Sequence, residues 1–287
     1  MNYAKQEVFM LLGFLFSVPA VIAVLICLCS GVFQSLAWLW VLPVSYLGSF
    51  LTLGILIFLF VIICEHAVDT SKPQEEDSKF YRFLIRLIAE AALPILSVRM
   101  HVEGLEKTPK EGRFLLVCNH LNEMDPVVLM HYFRNSQLTF ISKKENESMF
   151  VVGKFMHKIQ CQLMNRENDR EALKTILKCV EIIKEDKASV AVFPEGYIKP
   201  DRKLHHFRSG VFKIAQKTKV PIVVCTLRNT HHVFHNGLRL KPTHVHLHLV
   251  DVVAPEQYQG MTTVELGNMV YEMMARDLGP ENVSNEE

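Results

Sequence analysis

A histidine and an aspartate five residues apart are the pair in this sequence with the clearest potential for chemistry. They lie in residues 117–126, which read VCNHLNEMDP. A carboxylate that accepts a hydrogen bond from an imidazole fixes the tautomer of the ring and stabilises the imidazolium that forms when histidine takes a proton. His120 and Asp125 therefore predict a general base and its orienting partner. The same spacing also occurs without chemistry, and an aspartate before a proline is an ordinary helix N-cap.

The pair lies where a strand is expected to end and a helix to begin. Residues 113–118 form a short apolar run that is typical of a buried strand. Asp125 and Pro126 suit the N-cap and the first position of a helix that the following apolar residues can continue. In α/β proteins, sites are built at such connections. Residues 191–196, AVFPEG, repeat this arrangement, because a predicted buried strand again runs into a loop that contains proline and glycine.

From about residue 98 onward, predicted strands and helices alternate. Asp169 is the expected N-cap of one helix, and Thr262 with Glu265 forms the expected capping box of the last one. The alternation predicts one α/β domain over residues 98–280, with a largely parallel sheet flanked by helices. The polar residues 281–287 are expected to form a frayed tail. Strands are predicted at residues 99–102, 114–118, 138–142, 161–164, 189–193, 222–227 and 245–252, and helices at residues 126–133, 149–159, 170–185, 210–217 and 263–278.

The first 70 residues have a different composition. No lysine, arginine, aspartate or glutamate occurs between Glu7 and Glu65, which is too long an uncharged stretch for a core helix of a soluble domain. Two apolar runs, residues 8–29 and 36–64, predict a membrane helical hairpin over residues 1–70. The basic residues that follow place both ends of the hairpin, and the rest of the chain, in the cytoplasm. A signal peptide fits less well, whereas a re-entrant hairpin that does not cross fully stays open.

Residues 71–97 connect the hairpin to the α/β domain. A polar stretch containing Pro73 predicts a linker, and residues 79–92 then show helical periodicity. One face of this helix is apolar, and the other carries Lys79, Arg82 and Arg86. A basic amphipathic helix next to a membrane span predicts a helix that lies in the membrane interface. A helix that covers the core of the domain is the alternative, and the two roles are compatible.

Charge and cysteine content argue against several classes of protein. The net charge of +1 gives no reason to expect a nucleic-acid partner. The seven cysteines are scattered, which indicates reduced thiols rather than disulfides or a zinc site. His244, His246 and His248 alternate along a predicted strand and so share one face. Because no acidic residue or cysteine beside them completes a ligand set, neither a metal nor another cofactor is predicted.

Several motifs, in order, resemble those of the glycerolipid acyltransferases. The resemblance is closest to the 1-acylglycerol-3-phosphate acyltransferases, also called lysophosphatidate acyltransferases, and covers roughly residues 99–229. The first motif of the family is N-H-x4-D and the third is F-P-E-G, with a lysine-bearing strand and an arginine-ending second motif between them. The matching residues are Asn119, His120 and Asp125, then Lys143, then Arg166, then Phe193, Pro194, Glu195 and Gly196, and finally Val220, Pro221 and Ile222 for the fourth motif.

The resemblance implies transfer of an acyl group from acyl-CoA or acyl carrier protein to the free hydroxyl of 1-acyl-glycerol-3-phosphate in a membrane, which gives phosphatidic acid. His120 would take the hydroxyl proton, oriented by Asp125. The acyl group would pass directly, and Cys118, the rival nucleophile, is expected to point into the core. Arg166 would bind the acceptor phosphate, with Lys143 as a weaker candidate. The remaining implied substrate-binding residues are Glu195 and Gly196 in the acceptor turn, together with Asn119, Phe193 and Pro194.

Other positions depart from the family pattern. Cys161 and Asn165 stand where the second motif usually has glycine and aspartate, and Tyr197 follows the third motif where threonine or serine is usual. Because these loops shape the acceptor site, another lysophospholipid or glycerol 3-phosphate stays open as the acceptor. Arg208, in a basic turn before a helix, is a further candidate to meet an anion. A non-catalytic, membrane-anchored lipid-binding protein and a metal-dependent hydrolase with His120 and Asp125 as ligands are the alternatives from other classes.

Overall fold

The computed structural model describes residues 2–72, 74, 76–165 and 167–284, with side chains from Gly13 onward. The chain divides into two compact units, Met1–Asp69 and Thr70–Glu287. Arg166, the predicted phosphate ligand, lies outside the described residues, as do Pro73 of the linker and residues 285–287 of the tail.

The first unit is a helical hairpin, as the two apolar runs predicted. Helix α1 spans Asn2–Cys29 and α2 spans Trp38–His66. Gly31 between them has a positive φ of 65°, which glycine adopts without steric cost. The two helices contact each other through Phe16 and Phe50, whose rings stack 5.6 Å apart. By length and composition, α2 is apolar enough to cross a membrane, and the described apolar part of α1, Gly13–Cys29, is shorter.

The second unit alternates helices and strands around one seven-stranded sheet. Its first helix, α3, spans Lys79–Ile95. The strands are β1 (Val98–Glu103), β2 (Leu115–Cys118), β3 (Leu138–Lys143), β4 (Gln162–Met164), β5 (Ser189–Val192), β6 (Ile222–Arg228) and β7 (Thr243–Val253). The further helices are α4 (Asp125–Tyr132), α5 (Val152–Lys158), α6 (Asp169–Lys184), α7 (Lys213–Thr218), α8 (Val233–Gly237) and α9 (Thr263–Leu278).

The strand order is β1-β7-β6-β2-β5-β3-β4. Neighbouring strands from β6 to β4 run parallel, β1 is parallel to β7, and only the β6–β7 pair among the described strands is antiparallel. The predicted largely parallel sheet is therefore confirmed. Its carboxyl edge, where β2, β5, β3 and β4 end, brings together the loops that carry the predicted motifs.

Helices cover both faces of the sheet. Helices α6, α7 and α9 pack on one face through residues such as Ile176, Ile214 and Met274. Helices α3, α4 and α8 pack on the other through residues such as Leu93 and Leu129. Every side chain of β2 and β5 is buried, which explains why these central strands are uninterrupted apolar runs.

Some local predictions were wrong. Asn168, not Asp169, caps α6, because its side chain accepts from the N–H groups of Arg170 and Glu171. Helix α5 begins later than predicted, since Val151 before it has a positive φ of 63° that ends any helix from residue 149. The capping box of Thr262 at the start of α9 is confirmed.

The predicted fraying of the tail is also wrong as far as Ser284. Val283 forms a parallel bridge with Leu204, a buried residue of the loop after β5. The N–H of Leu204 donates to the carbonyl of Asn282 at 2.8 Å, and the N–H of Ser284 donates to the carbonyl of Leu204 at 2.9 Å. The end of the described chain thus holds a loop that leads to the candidate site.

Candidate active site

His120 and Asp125 form a hydrogen-bonded pair at the carboxyl edge of the sheet. Nδ1 of His120 and Oδ2 of Asp125 are 2.9 Å apart. The aspartate is fully buried, whereas 18% of the histidine side chain is exposed. Because the bond uses Nδ1, Nε2 is the nitrogen that can accept a proton from a substrate. This geometry suits a general base with an orienting carboxylate.

Asp125 does not serve as the predicted N-cap. It is the first residue of α4, and its carboxylate turns back to the preceding loop. Oδ2 accepts the N–H groups of Leu121 at 2.6 Å and Asn122 at 2.8 Å, in addition to the imidazole. Oδ1 is buried without a hydrogen-bond partner among the described residues. One carboxylate oxygen therefore fixes both the histidine ring and the backbone that carries it.

Glu195 joins the two motif-bearing loops. It follows β5 and is only 3% exposed. Oε1 accepts the backbone N–H of His120 at 2.9 Å, and Oε2 accepts the backbone N–H of His205 at 3.0 Å. Burial raises the pKa of this carboxyl from 4.5 to about 7, aided by the charges of Asp125 and Asp201, although the two N–H bonds act in the opposite direction.

Phe193, Pro194 and Gly196 belong to the same loop after β5 as Glu195, which bonds to His120. The ring of Phe193 stacks on the imidazole of His120, with centroids 4.1 Å apart. The carbonyl of Pro194 accepts the backbone N–H of Arg208 at 2.8 Å. Gly196 has a φ of +88°, which favours glycine, and a Cβ there would lie 3.1 Å from Nε of Arg208, so the arginine side chain would have to shift slightly. Arg208 is exposed beside this turn.

Asn119 is buried and joins the ends of β2 and β6. Its Nδ2 donates to the carbonyl of Leu227 at 2.9 Å, and its Oδ1 accepts the N–H of Leu227 at 2.7 Å. Asn119 is only 1% exposed, and these two bonds fix the backbone directly before His120. The thiol of Cys118 points into the core, as predicted, and burial raises its pKa well above the usual range.

Lys143 lines a separate groove of about 710 Å³ at the ends of β3 and β4. Its Nζ is 3.6 Å from Oε1 of Glu145. Asn165 and Glu167, the neighbours of Arg166, line the same groove. The strand order places β3 two strands from β2, on the same edge as His120. The other lining residues are Thr70, Lys144, Glu145, Glu147, Ser148 and Met164.

Sequence reasoning missed two contributors to the loop after β5. Nη1 of Arg202 donates to the carbonyl of Leu121 at 2.7 Å, and so supports the residue that follows His120. Nε2 of His205 lies 2.9 Å from the carboxylate of Asp201. A histidine four residues after an aspartate was the available signal for the second contact. Nothing in the sequence pattern indicates the first.

The predicted histidine face is present on β7. His244 and His246 are exposed, and His248 is half-buried on the same side. His101 of β1 joins them, with its Nε2 2.8 Å from Nδ1 of His244. Nδ1 of His248 bonds to Asp277 at 2.6 Å. Within the described ranges, no group of three or more histidine, cysteine, aspartate or glutamate residues could hold a metal ion.

Comparison with known proteins identifies the family. A sequence model of the acyltransferase family matches residues 99–228. A probable 1-acyl-sn-glycerol-3-phosphate acyltransferase from Mycoplasma pneumoniae is 30% identical over 186 residues, which are 62% of this chain and 69% of that protein. The chain belongs to the acyltransferase family. The resemblance drawn from the motifs and the expected class of enzyme are both confirmed.

Two further proteins are similar to this acyltransferase. The 1-acyl-sn-glycerol-3-phosphate acyltransferase of Borreliella burgdorferi is 25% identical over 183 residues, covering 61% of this chain and 71% of that protein. The crystal structure of the lysophosphatidate acyltransferase PlsC from Thermotoga maritima matches with a TM-score of 0.61 at 24% identity, over 81% of this chain and 91% of that chain. This last likeness shows the fold.

Proposed function

We propose that this acyltransferase moves an acyl group from acyl-CoA or acyl carrier protein to the free hydroxyl of 1-acyl-glycerol-3-phosphate, giving phosphatidic acid. The observation that carries the proposal is the 2.9 Å bond between His120 and buried Asp125, which leaves Nε2 for a substrate hydroxyl. The relatives from Mycoplasma pneumoniae and Borreliella burgdorferi, which are named as 1-acyl-sn-glycerol-3-phosphate acyltransferases, support this choice of acceptor.

In the proposed reaction, Nε2 of His120 takes the hydroxyl proton as the hydroxyl oxygen attacks the thioester carbonyl carbon. The new C–O bond forms, the C–S bond breaks, and the leaving thiolate takes the proton back from the imidazolium. Asp125 stabilises that imidazolium and keeps the proton of the neutral ring on Nδ1. A serine or cysteine nucleophile is not required, in keeping with the burial of Cys118.

We assign the acceptor phosphate to the groove that Lys143 lines. This groove is formed in part by Asn165 and Glu167, and Arg166 lies between these two residues in the chain. The ammonium of Lys143 suits a phosphate, and an arginine can bind one through two parallel hydrogen bonds, which is the role that the motif resemblance implies for Arg166.

For Glu195 we propose a positioning role in place of the predicted contact with a glycerol hydroxyl. Both of its oxygens accept backbone N–H groups, and the residue is almost completely buried. We give Asn119 the same role, because its amide is paired with Leu227. Phe193, Pro194 and Gly196 then form the wall of the site next to His120, where an acceptor would lie.

We further propose that the hairpin of α1 and α2 anchors the enzyme in a membrane, with the catalytic unit facing the cytoplasm. The length and apolar composition of α2 support this proposal. Basic residues follow α2, whereas the short connector between α1 and α2 has none, and this difference supports the orientation. Both the lysophospholipid and the product would reside in the same bilayer, so an anchor raises their effective concentration at the site.

The test is acyl transfer by the purified full chain in detergent. Labelled acyl-CoA and acyl carrier protein are the donors, and lysophosphatidate, glycerol 3-phosphate and a zwitterionic lysophospholipid are the acceptors. We expect transfer to lysophosphatidate that is abolished in His120→Ala and retained in His235→Ala, a histidine exposed on α8. Circular dichroism of both variants checks the fold.

Three results would overturn parts of the proposal. Turnover by His120→Ala at the wild-type rate would exclude the base. Transfer only to another acceptor would keep the mechanism and replace the substrate. An activity that needs no thioester donor and is lost on chelation would identify a metal-dependent hydrolase.

A further inference from the structure

Helix α3 presents a mixed basic and aromatic surface away from the active site. It packs on the domain through buried residues that include Tyr81, Leu84 and Leu93. Phe80 and Phe83 are each 49% exposed on the same helix. Two half-exposed phenylalanines one turn apart, on a helix that also carries basic residues, suit contact with the apolar phase of a membrane interface.

Beside these phenylalanines lies a groove of about 260 Å³. It is formed by the start of α3, the end of α4 with the turn after it, and the first residue of β3. Its lining combines an apolar floor with a basic rim that holds four cations and one carboxylate. The apolar residues are Phe83, Met130, Phe133 and Leu138, and the polar ones are Asp77, Lys79, Arg82, Arg86, Arg134 and Gln137.

The one carboxylate of the rim is already engaged. Asp77 accepts two hydrogen bonds from the guanidinium of Arg82, at 2.8 and 2.6 Å. Nη1 of Arg82 also donates to the carbonyl of Leu138 at 2.8 Å, so this arginine is a fixed wall of the groove. The positive charge that faces a ligand therefore comes from the other cations of the rim.

Two of those cations adjoin the exposed phenylalanines. Lys79 is exposed at the start of α3. The guanidinium of Arg86 lies 5.7 Å from the ring centre of Phe83, and its Nε is 3.6 Å from the buried carboxylate of Glu90. Glu90 holds Arg86 in place and offsets its charge, while about a third of the arginine side chain stays exposed. The four cations that line the groove still exceed the two carboxylates, Asp77 and Glu90, by two charges.

This groove is separate from the acceptor groove. Leu138, in the α3 groove, is the first residue of β3, whereas Lys143, in the acceptor groove, is the last. A strand rises about 3.3 Å per residue, so the two grooves lie roughly 16 Å apart along β3, at opposite edges of the sheet.

We propose that the α3 groove binds the headgroup of one anionic phospholipid of the bilayer. The phosphate meets Lys79 and Arg86, and the acyl chains leave past Phe80 and Phe83. The apolar floor favours an amphipathic anion over free phosphate, and the excess of positive charge favours an anionic over a zwitterionic headgroup. The site is distinct from the one proposed for lysophosphatidate, and the lipid is not consumed.

The test measures binding of short-chain phosphatidylglycerol and phosphatidylcholine to the full chain in non-ionic detergent, by calorimetric titration. Phosphatidylglycerol is neither substrate nor product of the proposed reaction. We expect phosphatidylglycerol to bind at least about fivefold more tightly than phosphatidylcholine, in line with the attraction of a basic residue to an anionic lipid. Lys79→Glu should abolish this preference. Lys178→Glu, an exposed position on α6, is the matched control and should keep it.

The remaining arms identify the source of any anion binding. The preference for phosphatidylglycerol should persist in Lys143→Glu and in the presence of inorganic phosphate. Phe83→Ala should weaken the binding of both lipids to the same extent. Equal binding of the two lipids by the wild type would overturn the proposal. Loss of the preference in Lys143→Glu with retention in Lys79→Glu would also overturn it, because the anion would then occupy the acceptor groove. If inorganic phosphate displaced phosphatidylglycerol, the groove would be a site for any anion, and the assignment of a lipid would be overturned.

Discussion

Replacing Glu195 by glutamine should change how the stability of the enzyme depends on pH. Burial raises the pKa of this carboxyl from 4.5 to about 7 in the folded protein. Between these two values the folded protein binds a proton that the unfolded chain releases, so the free energy of unfolding falls as the pH rises through this window and is level above it. A shift of about 2.5 pKa units, at about 1.36 kcal/mol per unit, corresponds to about 3 kcal/mol.

The assay is denaturant unfolding of the full chain and of Glu195→Gln in one detergent, from about pH 4.5 to pH 8. Subtracting one curve of unfolding free energy against pH from the other removes the contributions of the other titrating groups, because both proteins share them. The stability of the variant relative to the wild type should rise by about 3 kcal/mol up to about pH 7 and then stay level. Glu123→Gln, at an exposed glutamate of the His120 loop, should show no such rise. A flat difference for Glu195→Gln would refute the reasoning.

The kinetics of the same variant separate the two roles considered for Glu195. A glutamine offers one acceptor oxygen in place of two, so the N–H of His120 or that of His205 loses its partner. If Glu195 positions His120, kcat falls while KM for the acceptor changes little. A rise in KM at constant kcat would instead indicate contact with the acceptor itself.

Three further substitutions test other parts of the site. Asp125→Asn should lower kcat by about 10²- to 10⁴-fold, because a neutral amide does not stabilise the imidazolium, and a steady-state rate near that of the wild type would contradict the pairing. Asn119→Ala should reduce the free energy of unfolding by about 2 to 4 kcal/mol, since it leaves both backbone groups of Leu227 unpaired, and denaturant unfolding at pH 8 measures it. Cys118→Ala should retain most of its acyl-transfer activity, whereas complete loss of turnover in a folded variant would make the thiol a nucleophile.

The sequence predicted the elements around the site because the central strands are buried on both faces. Leu115 to Cys118 and Ser189 to Val192 lie in the middle of a parallel sheet, so their apolar runs are short and easily recognised. The spacing of His120 and Asp125 also sufficed for their pairing, since one tight connection holds both. Local patterns of this kind carry their structural meaning within a few residues.

The parts that escaped prediction depend on distant partners. Glu195 is 75 residues from His120 in the chain, and its bonds to two backbone N–H groups have no local signature. Asn119 is 108 residues from Leu227, so a buried amide bridge could not be told from a substrate ligand. The bridge between Leu204 and Val283 was not predicted for the same reason. The composition of a short polar tail does not indicate which distant segment it pairs with.

The position of β7 in the sheet has a consequence for biosynthesis. This strand lies between β1 and β6, and it begins about 145 residues after β1. At ribosomal rates of about 5 to 20 residues per second, β1 emerges roughly 7 to 30 seconds before its partner. Throughout that interval β1 lacks its partner strand, and β6, which begins 21 residues before β7, has an open edge at the end of it. An open strand edge is a template for pairing with other chains. Translation that stops between β6 and β7 therefore yields a nascent product with two unpaired strand edges, and such a product is a natural client for a chaperone.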